Sequence, residues 1–227
     1  MTSGPLVVVG AAGDLARSVL ASCGTSGDRY LFDRRTDSAG VAGCDVAVAS
    51  DVERVLDRLP VTAGQHWRML SAVGWFHGQS DWDGDWRELR ASIETNLTGV
   101  AHFASGLAYR LTAAGATGRL VTVGSAAGRK GSRDVAYGTA KAGLVGLVRS
   151  LSKVYSSHGV TAIGVEPGLF DSAMSRKQQP VRRALAAAGN DAGRMLELSE
   201  VADVVHYVLC SAPDALSGSI VPVGGGY

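Results

Sequence analysis

Several things are scarce in this sequence, and each shortage excludes something. Only three cysteines, Cys23, Cys44 and Cys210, stand among 227 residues, and no C-x-x-C pair occurs. That argues against a disulfide-rich secreted scaffold and for reduced thiols in a cytoplasmic protein. Each cysteine reads as a small buried hydrophobe. No apolar run approaches the ~20 residues that span a bilayer. The opening MTSGPLVVV has no basic segment before its valines, and Asp14 ends the apolar run, so neither a membrane span nor a signal peptide is expected. Charge is almost balanced, with 22 Lys and Arg against 21 Asp and Glu. Without a long basic stretch, a general nucleic-acid surface is not expected. The five histidines show no pair at metal-ligand spacing, and no metal is expected.

What is present is a regular alternation. LVVV (6–9) is a short apolar run of the kind buried on both faces of a sheet. RYLFD (29–33), DVAVA (45–49), WRMLSAV (67–73), GRLVTVG (118–124), VTAIGV (160–165) and SIVPV (219–223) read as further strands. Between them run segments with apolar residues spaced by three or four, such as Leu97, Val100, Ala104, Leu107 and Leu111. The pattern predicts a single α/β domain over 1–227: a Rossmann-type, doubly wound parallel sheet of about seven strands with helices on both faces. One polar, basic, Ala/Gly-rich segment, 169–196, breaks the rhythm after the sixth strand. An insertion there is placed to serve as a substrate lid.

The strongest chemical signal is YGTAK, Tyr137 to Lys141. Positions i and i+4 share a helix face, which brings an ammonium near a phenol. A nearby positive charge lowers a phenol's pKa and makes it a usable proton donor or acceptor. Ser125 stands twelve residues earlier, just past a strand, and Asn96 lies inside a long helical segment.

Taken in order, GAAGDLA, DR after the second strand, SDV after the third, TNLTG, GSAAG, YGTAK, EPG and the closing VPVGGGY make the chain resemble the short-chain dehydrogenase/reductase family. The resemblance is to its compact classical type, with a divergent glycine loop, and it covers essentially the whole chain. It implies an NAD(P)-dependent oxidoreductase acting on a secondary alcohol or ketone. Tyr137 would be the general acid/base, Lys141 would tune it and bond the nicotinamide ribose, Ser125 would orient the substrate oxygen, and Asn96 would hold a relay water. Ala72, Val73, Gly74, Pro167, Gly168, Leu169 and Ser172 would border the cofactor. Homodimers or homotetramers formed through the two long helices are implied as well.

Asp33 ends the second strand 23 residues after Gly10, the spacing of an acid that binds the adenine ribose hydroxyls. A carboxylate there repels a 2′-phosphate, so NAD(H) is favoured over NADP(H), although Arg34 and Arg35 follow directly. Asp51 and Val52 resemble the family's adenine-flanking pair, and Asp51 also reads as a helix N-cap. The glycine loop departs from the family pattern: Gly10 is kept, but Asp14 occupies a glycine position and Gly13 stands one residue early. Gly13 is expected to make the turn. Asp14, ahead of Leu15, is expected to point towards solvent or backbone amides, away from the pyrophosphate.

The crevice is expected to be lined by Trp75, Phe76 and His77, by Arg129 and by Phe170 from the lid. Trp82 and Trp86, one turn apart, read as core or as a subunit contact. The rival readings are an NADPH-dependent 3-oxoacyl or carbonyl reductase and, in a different class, a non-catalytic cofactor sensor or scaffold on the same fold.

Overall fold

The computed structural model describes residues 4–24, 27–76, 85–191 and 193–224. Strands β1 (Leu6–Val9), β2 (Arg29–Asp33), β3 (Val41–Gly43), β4 (His66–Ser71), β5 (Thr117–Val123), β6 (Val160–Pro167) and β7 (Ile220–Val223) form one sheet in the order β3-β2-β1-β4-β5-β6-β7. Every pairing among them is parallel. Parallel neighbours need crossovers; β2 and β3 are joined by the helix-free segment 34–40, and the other crossovers carry the helices α1 (Asp14–Ser22), α2 (Ala49–Leu56), α3 (Trp86–Ile93), α4 (Gly99–Ala113), α5 (Ala126–Lys130), α6 (Val135–Tyr155), α7 (Pro180–Ala188) and α8 (Leu198–Cys210). A π-turn, Glu94–Thr98, joins α3 to α4. The strand order reverses between β1 and β4, where ligand crevices form in open α/β sheets.

The alternation of each strand feeds two core layers. Val7 and Val9 of β1 face a layer with Leu56, Phe103, Leu107, Leu111 and Val148, supplied by α2, α4 and α6. Leu6 and Val8 face the other, with Leu15, Val19, Val201, Val205 and Leu209 from α1 and α8. None of the described helices is long and apolar enough to cross a membrane.

The sequence pattern misplaces one strand. Residues 45–49 alternate like a strand but form a turn and the start of α2, while β3 lies at 41–43. Asp45 explains the difference. Its carboxylate accepts from the Ala47 amide at 3.0 Å, a local bond that favours a turn over a ladder. The 169–196 segment is more regular than expected. It contains a 3₁₀ turn, Ser175–Lys177, and α7, and its two ends meet in an isolated parallel bridge between Phe170 and Leu196. Trp86 is not core: it opens α3 and is largely exposed. Trp82 lies outside the described residues.

Candidate active site

The loop after β1 turns at Gly10, whose φ is +82°. A Cβ there would lie 2.8 Å from the carbonyl carbon of Ala72, so only glycine lets β1 and the end of β4 come this close. Gly13 does not make the turn as expected; its φ is −76° in extended backbone. Instead it is the N-cap of α1 and brings no side-chain acceptor to the first-turn amides. Those amides, at the positive end of the helix dipole, remain available for an anion. Leu15 is buried in the core, so it can offer a ligand only its backbone.

Asp14 is the first helical residue rather than the cap. Its Oδ2 reaches across to the 169–196 segment, accepting from the Ala173 amide at 2.6 Å with the Arg176 guanidinium 3.6 Å away. The expectation of a backbone-amide partner is met, but the partner is 159 residues distant. Replacing Asp14 by glycine removes a negative charge beside an anion-binding helix end and frees the segment. The expected result is dinucleotide binding tighter by about fivefold, the equivalent of ~1 kcal/mol for two charges a few ångströms apart in water. Calorimetric titration of both chains checks it, and equal affinities would show that the carboxylate is no obstacle.

Asp33 closes β2. Its Oδ2 accepts from the Ala12 amide at 3.0 Å and its Oδ1 from the Arg35 amide at 2.8 Å, so the carboxylate is fixed against the glycine loop. Arg34 is exposed, and Arg17 donates to Ser38 Oγ at 2.8 Å just beyond. Asp51 is not an N-cap. Val48 holds that position, and Asp51 sits in the first turn, accepting from the Asp45 amide and pairing with Arg54 at 2.6 Å. The Arg54 hydrogen bond holds the Asp51 carboxyl below its usual range. Val52 is wholly buried on the core side of α2. The acid–valine pair that follows β3 directly is therefore Asp45–Val46, which the misplaced strand had hidden.

The chemical groups meet at the carboxyl ends of β4 and β5. Ser125 caps α5, accepting from the Ala127 amide at 3.2 Å. Asp134 caps α6 and accepts from the Tyr137 amide at 2.8 Å, which fixes the tyrosine in the first turn. The Ser125 hydroxyl stands close enough to the Tyr137 phenol to favour its ionised form. α5 lies directly on α6 at Gly128, where a Cβ would come 2.6 Å from the Ala142 nitrogen. Lys141, one turn beyond Tyr137, is only 2% exposed. Its Nζ donates to the carbonyls of Val73 and Val123, both at 3.0 Å, and lies 5.8 Å from the Tyr137 ring centroid. Phe76 meets the same ring edge-on, with centroids 5.6 Å apart.

The electrostatics here reverse one expectation. Burial raises the Tyr137 phenol above its ordinary range; the neighbouring Ser125 hydroxyl opposes this and the Asp134 charge adds to it. Burial also pushes the Lys141 ammonium down to about 8. Desolvation thus outweighs the ammonium–phenol attraction that the i,i+4 spacing predicted. Without a ligand the phenol is held as a proton donor.

Asn96 lies within the π-turn and is fully buried. Its side chain is committed to backbone: Oδ1 accepts from the Trp75 amide at 2.9 Å, while Nδ2 donates to the Trp75 carbonyl at 2.8 Å and the Ser92 carbonyl at 3.0 Å. It pins the loop after β4 to the long helix.

At the end of β6, the Gly168 amide donates to the Val223 carbonyl at 2.8 Å. Asn190, which the sequence reading did not single out, is buried against Gly168 and donates to the carbonyls of Leu169 and Arg194. Ser172 accepts from the Ser175 amide at 3.1 Å, and the Ser175 hydroxyl donates back to the Ser172 carbonyl at 3.0 Å. Met174 sits against Gly74, bringing the 169–196 segment onto the loop after β4. Phe170 packs against the core layer of α1 and α8, and Arg129 lies 3.8 Å from the buried Glu166 carboxylate. Burial raises the Glu166 carboxyl above its usual range. His77 lies outside the described residues.

A family model described as enoyl-(acyl carrier protein) reductase matches residues 28–227. The chain is 32% identical over 145 residues to the 3-oxoacyl-(acyl-carrier-protein) reductase FabG of Salmonella typhimurium, covering 63% of this chain and 58% of that relative's length. It is 29% identical over 226 residues to the cis-4-hydroxycyclohexanecarboxylate dehydrogenase of Sinomonas cyclohexanicum, covering 99% of this chain and 87% of the other. A solved structure described as a short chain dehydrogenase/reductase family protein superposes with a TM-score of 0.82 at 20% identity, covering 99% of this chain and 97% of that one. Sheet order, the Ser125–Tyr137–Lys141 cluster and the family model agree that this chain belongs to the short-chain dehydrogenase/reductase family.

Proposed function

We propose that the chain is an NAD(P)-dependent oxidoreductase acting on a secondary alcohol or ketone of a small molecule. The observation that carries this is the meeting of three side chains at the carboxyl edge of the sheet: Tyr137 in the first turn of α6, Ser125 at the head of α5 packed on that helix, and buried Lys141 with its Nζ 5.8 Å from the tyrosine ring centroid. The dinucleotide fits the residues present. Gly10 lets the loop after β1 lie close against the end of β4, the first turn of α1 has no side-chain cap, and Asp33 closes β2 against the same loop. Bound there, the nicotinamide ring supplies or accepts the hydride. Tyr137 gives its phenolic proton to the carbonyl oxygen in reduction and takes it back in oxidation. Ser125 donates to the same oxygen and holds it in line. Lys141 places positive charge beneath the tyrosine and, once it shifts from the Val73 and Val123 carbonyls, reaches the ribose. Asn96 acts by holding Trp75, which carries the crevice wall. Asp45 and Val46 would line the adenine end.

Asp33 favours NAD(H), because a carboxylate at the end of β2 repels a 2′-phosphate. The similarity to Sinomonas cyclohexanicum cis-4-hydroxycyclohexanecarboxylate dehydrogenase over nearly the whole chain favours a ring-bearing alcohol, and the Phe76–Tyr137 edge contact gives it an apolar wall. The FabG similarity supports the second reading, a 3-oxoacyl reductase. Exposed Tyr109 on α4 and Val154 on α6 support a homo-oligomer through those helices. Titration with NADH and NADPH, followed by turnover on hydroxycyclohexanecarboxylates and 3-oxoacyl thioesters, tests these readings. Tighter NADH binding and oxidation of the cyclic alcohol are expected. Preference for NADPH would overturn the role given to Asp33, and no binding of either dinucleotide would overturn the enzyme.

A further inference from the structure

At the opposite edge of the sheet, the fold assembles a group of side chains that the proposed reaction does not use. Cys23 ends α1, and His206 and Cys210 stand one turn apart on the same face of α8. Packing of α1 on α8 brings the three together. Two sulfurs and a ring nitrogen lie within 4.8 Å of one another. Cys23 is buried, while His206 and Cys210 are half-buried, so the group opens to solvent on one side.

We propose that Cys23, His206 and Cys210 form a binding site for a soft divalent cation such as Zn²⁺, with solvent completing the coordination. A tetrahedral Zn²⁺ takes sulfur at roughly 2.3 Å and nitrogen at roughly 2.0 Å, which sets its ligands somewhat under 4 Å apart. The observed spacing needs only a small contraction to reach this. Two thiolates balance a divalent charge, and thiolate with imidazole is the donor set that selects zinc over hard cations.

A second observation points the same way. Arg68, from β4, donates Nη1 to Cys210 Sγ at 3.3 Å and Nη2 to the Gly4 carbonyl at 3.1 Å. Outer hydrogen bonds of this kind orient metal ligands and favour the thiolate form. Arg29 faces the group from β2, donating to the Cys23 and Gly24 carbonyls at 2.7 and 2.8 Å. The cation would tie the end of α1 to the end of α8, two elements otherwise joined by apolar packing. Binding to the folded chain alone stabilises it by mass action.

The test uses the full, reduced, metal-free chain. Titration with Co²⁺ should give thiolate-to-cobalt charge transfer and the visible bands of tetrahedral cobalt at one equivalent, and excess Zn²⁺ should bleach them. Zn²⁺ should also raise Tm in a concentration-dependent way. Cys23→Ser and Cys210→Ser should each lose the charge-transfer band and the rise in Tm, and His206→Ala should weaken both. Cys44→Ser should change neither, since Cys44 is buried elsewhere in the core. Turnover should be unaffected in all four variants. If a serine variant fails to fold, a thiolate-to-cadmium ultraviolet band in the unaltered chain carries the same information. An octahedral cobalt spectrum with no Zn²⁺ effect on Tm would overturn the proposal. So would the same response after loss of both Cys23 and Cys210. A Cys23–Cys210 disulfide forming under peroxide in a chain that takes no metal would overturn it as well.

Discussion

Replacing Tyr137 by phenylalanine is expected to lower turnover by about 10²–10⁴-fold, the range that a positioned proton donor contributes. Dinucleotide affinity should stay unchanged. Only one oxygen is lost. The ring keeps its edge contact with Phe76, and the helix keeps its Asp134 cap, which bonds the backbone and not the phenol. Ser125 retains its bond to the Ala127 amide. The change thus removes a proton source and little else, and kcat and kcat/KM should fall together. Steady-state turnover with a parallel fluorescence titration of NADH separates the effects. Unchanged turnover would remove Tyr137 from the mechanism, whereas lost NADH binding would mean that the variant had altered the crevice.

The second large effect is expected at Gly128. Alanine there places a Cβ 2.6 Å from the Ala142 nitrogen and 2.7 Å from the Lys141 carbonyl carbon, both backbone atoms of α6. Neither can step aside alone, so α5 must lift. Ser125 caps α5 and moves with it, away from Tyr137. Overpacking of this kind costs about 1–3 kcal/mol. For a domain of this size that lowers Tm by roughly 2–4 °C per kcal/mol. Misplacing a reacting group by ~1 Å costs about a hundredfold in rate, so kcat should fall further than the loss of stability alone explains. Gly146→Ala in α6 is the control. A Cβ there meets nothing within 4 Å, and the replacement should leave turnover intact while raising Tm slightly. Similar kcat values for the two variants would show that α5 does not hold Ser125 in place.

Much of the architecture was legible because the strands are short, apolar and punctuated. LVVV and VTAIGV carry no alternative reading once flanked by helical periodicities. The third strand was missed because Asp-Val-Ala-Val-Ala alternates like a strand while its aspartate makes a turn. The same misplacement hid Asp45–Val46, the acid–valine pair just after the observed β3, behind Asp51–Val52. In the site, Tyr137, Lys141 and Ser125 were legible from spacing within one helix and one strand end. Their electrostatics were not, because i,i+4 spacing gives proximity but not desolvation, and burial decides the sign here. Contacts between distant parts of the chain were also hidden. The Asp14 bond to Ala173 spans 159 residues, the Asn96 clamp on Trp75 depends on where a loop returns, and Cys23 meets Cys210 only because α1 packs on α8.

The Asp134 cap has a consequence for how the tyrosine could be tuned. One carboxylate performs two jobs that pull apart: it anchors the helix turn that carries the phenol, and its charge discourages that phenol from ionising. Asparagine caps a helix about as well and carries no charge. Asparagine at position 134 would therefore keep the cap while removing a charge that keeps the phenol protonated.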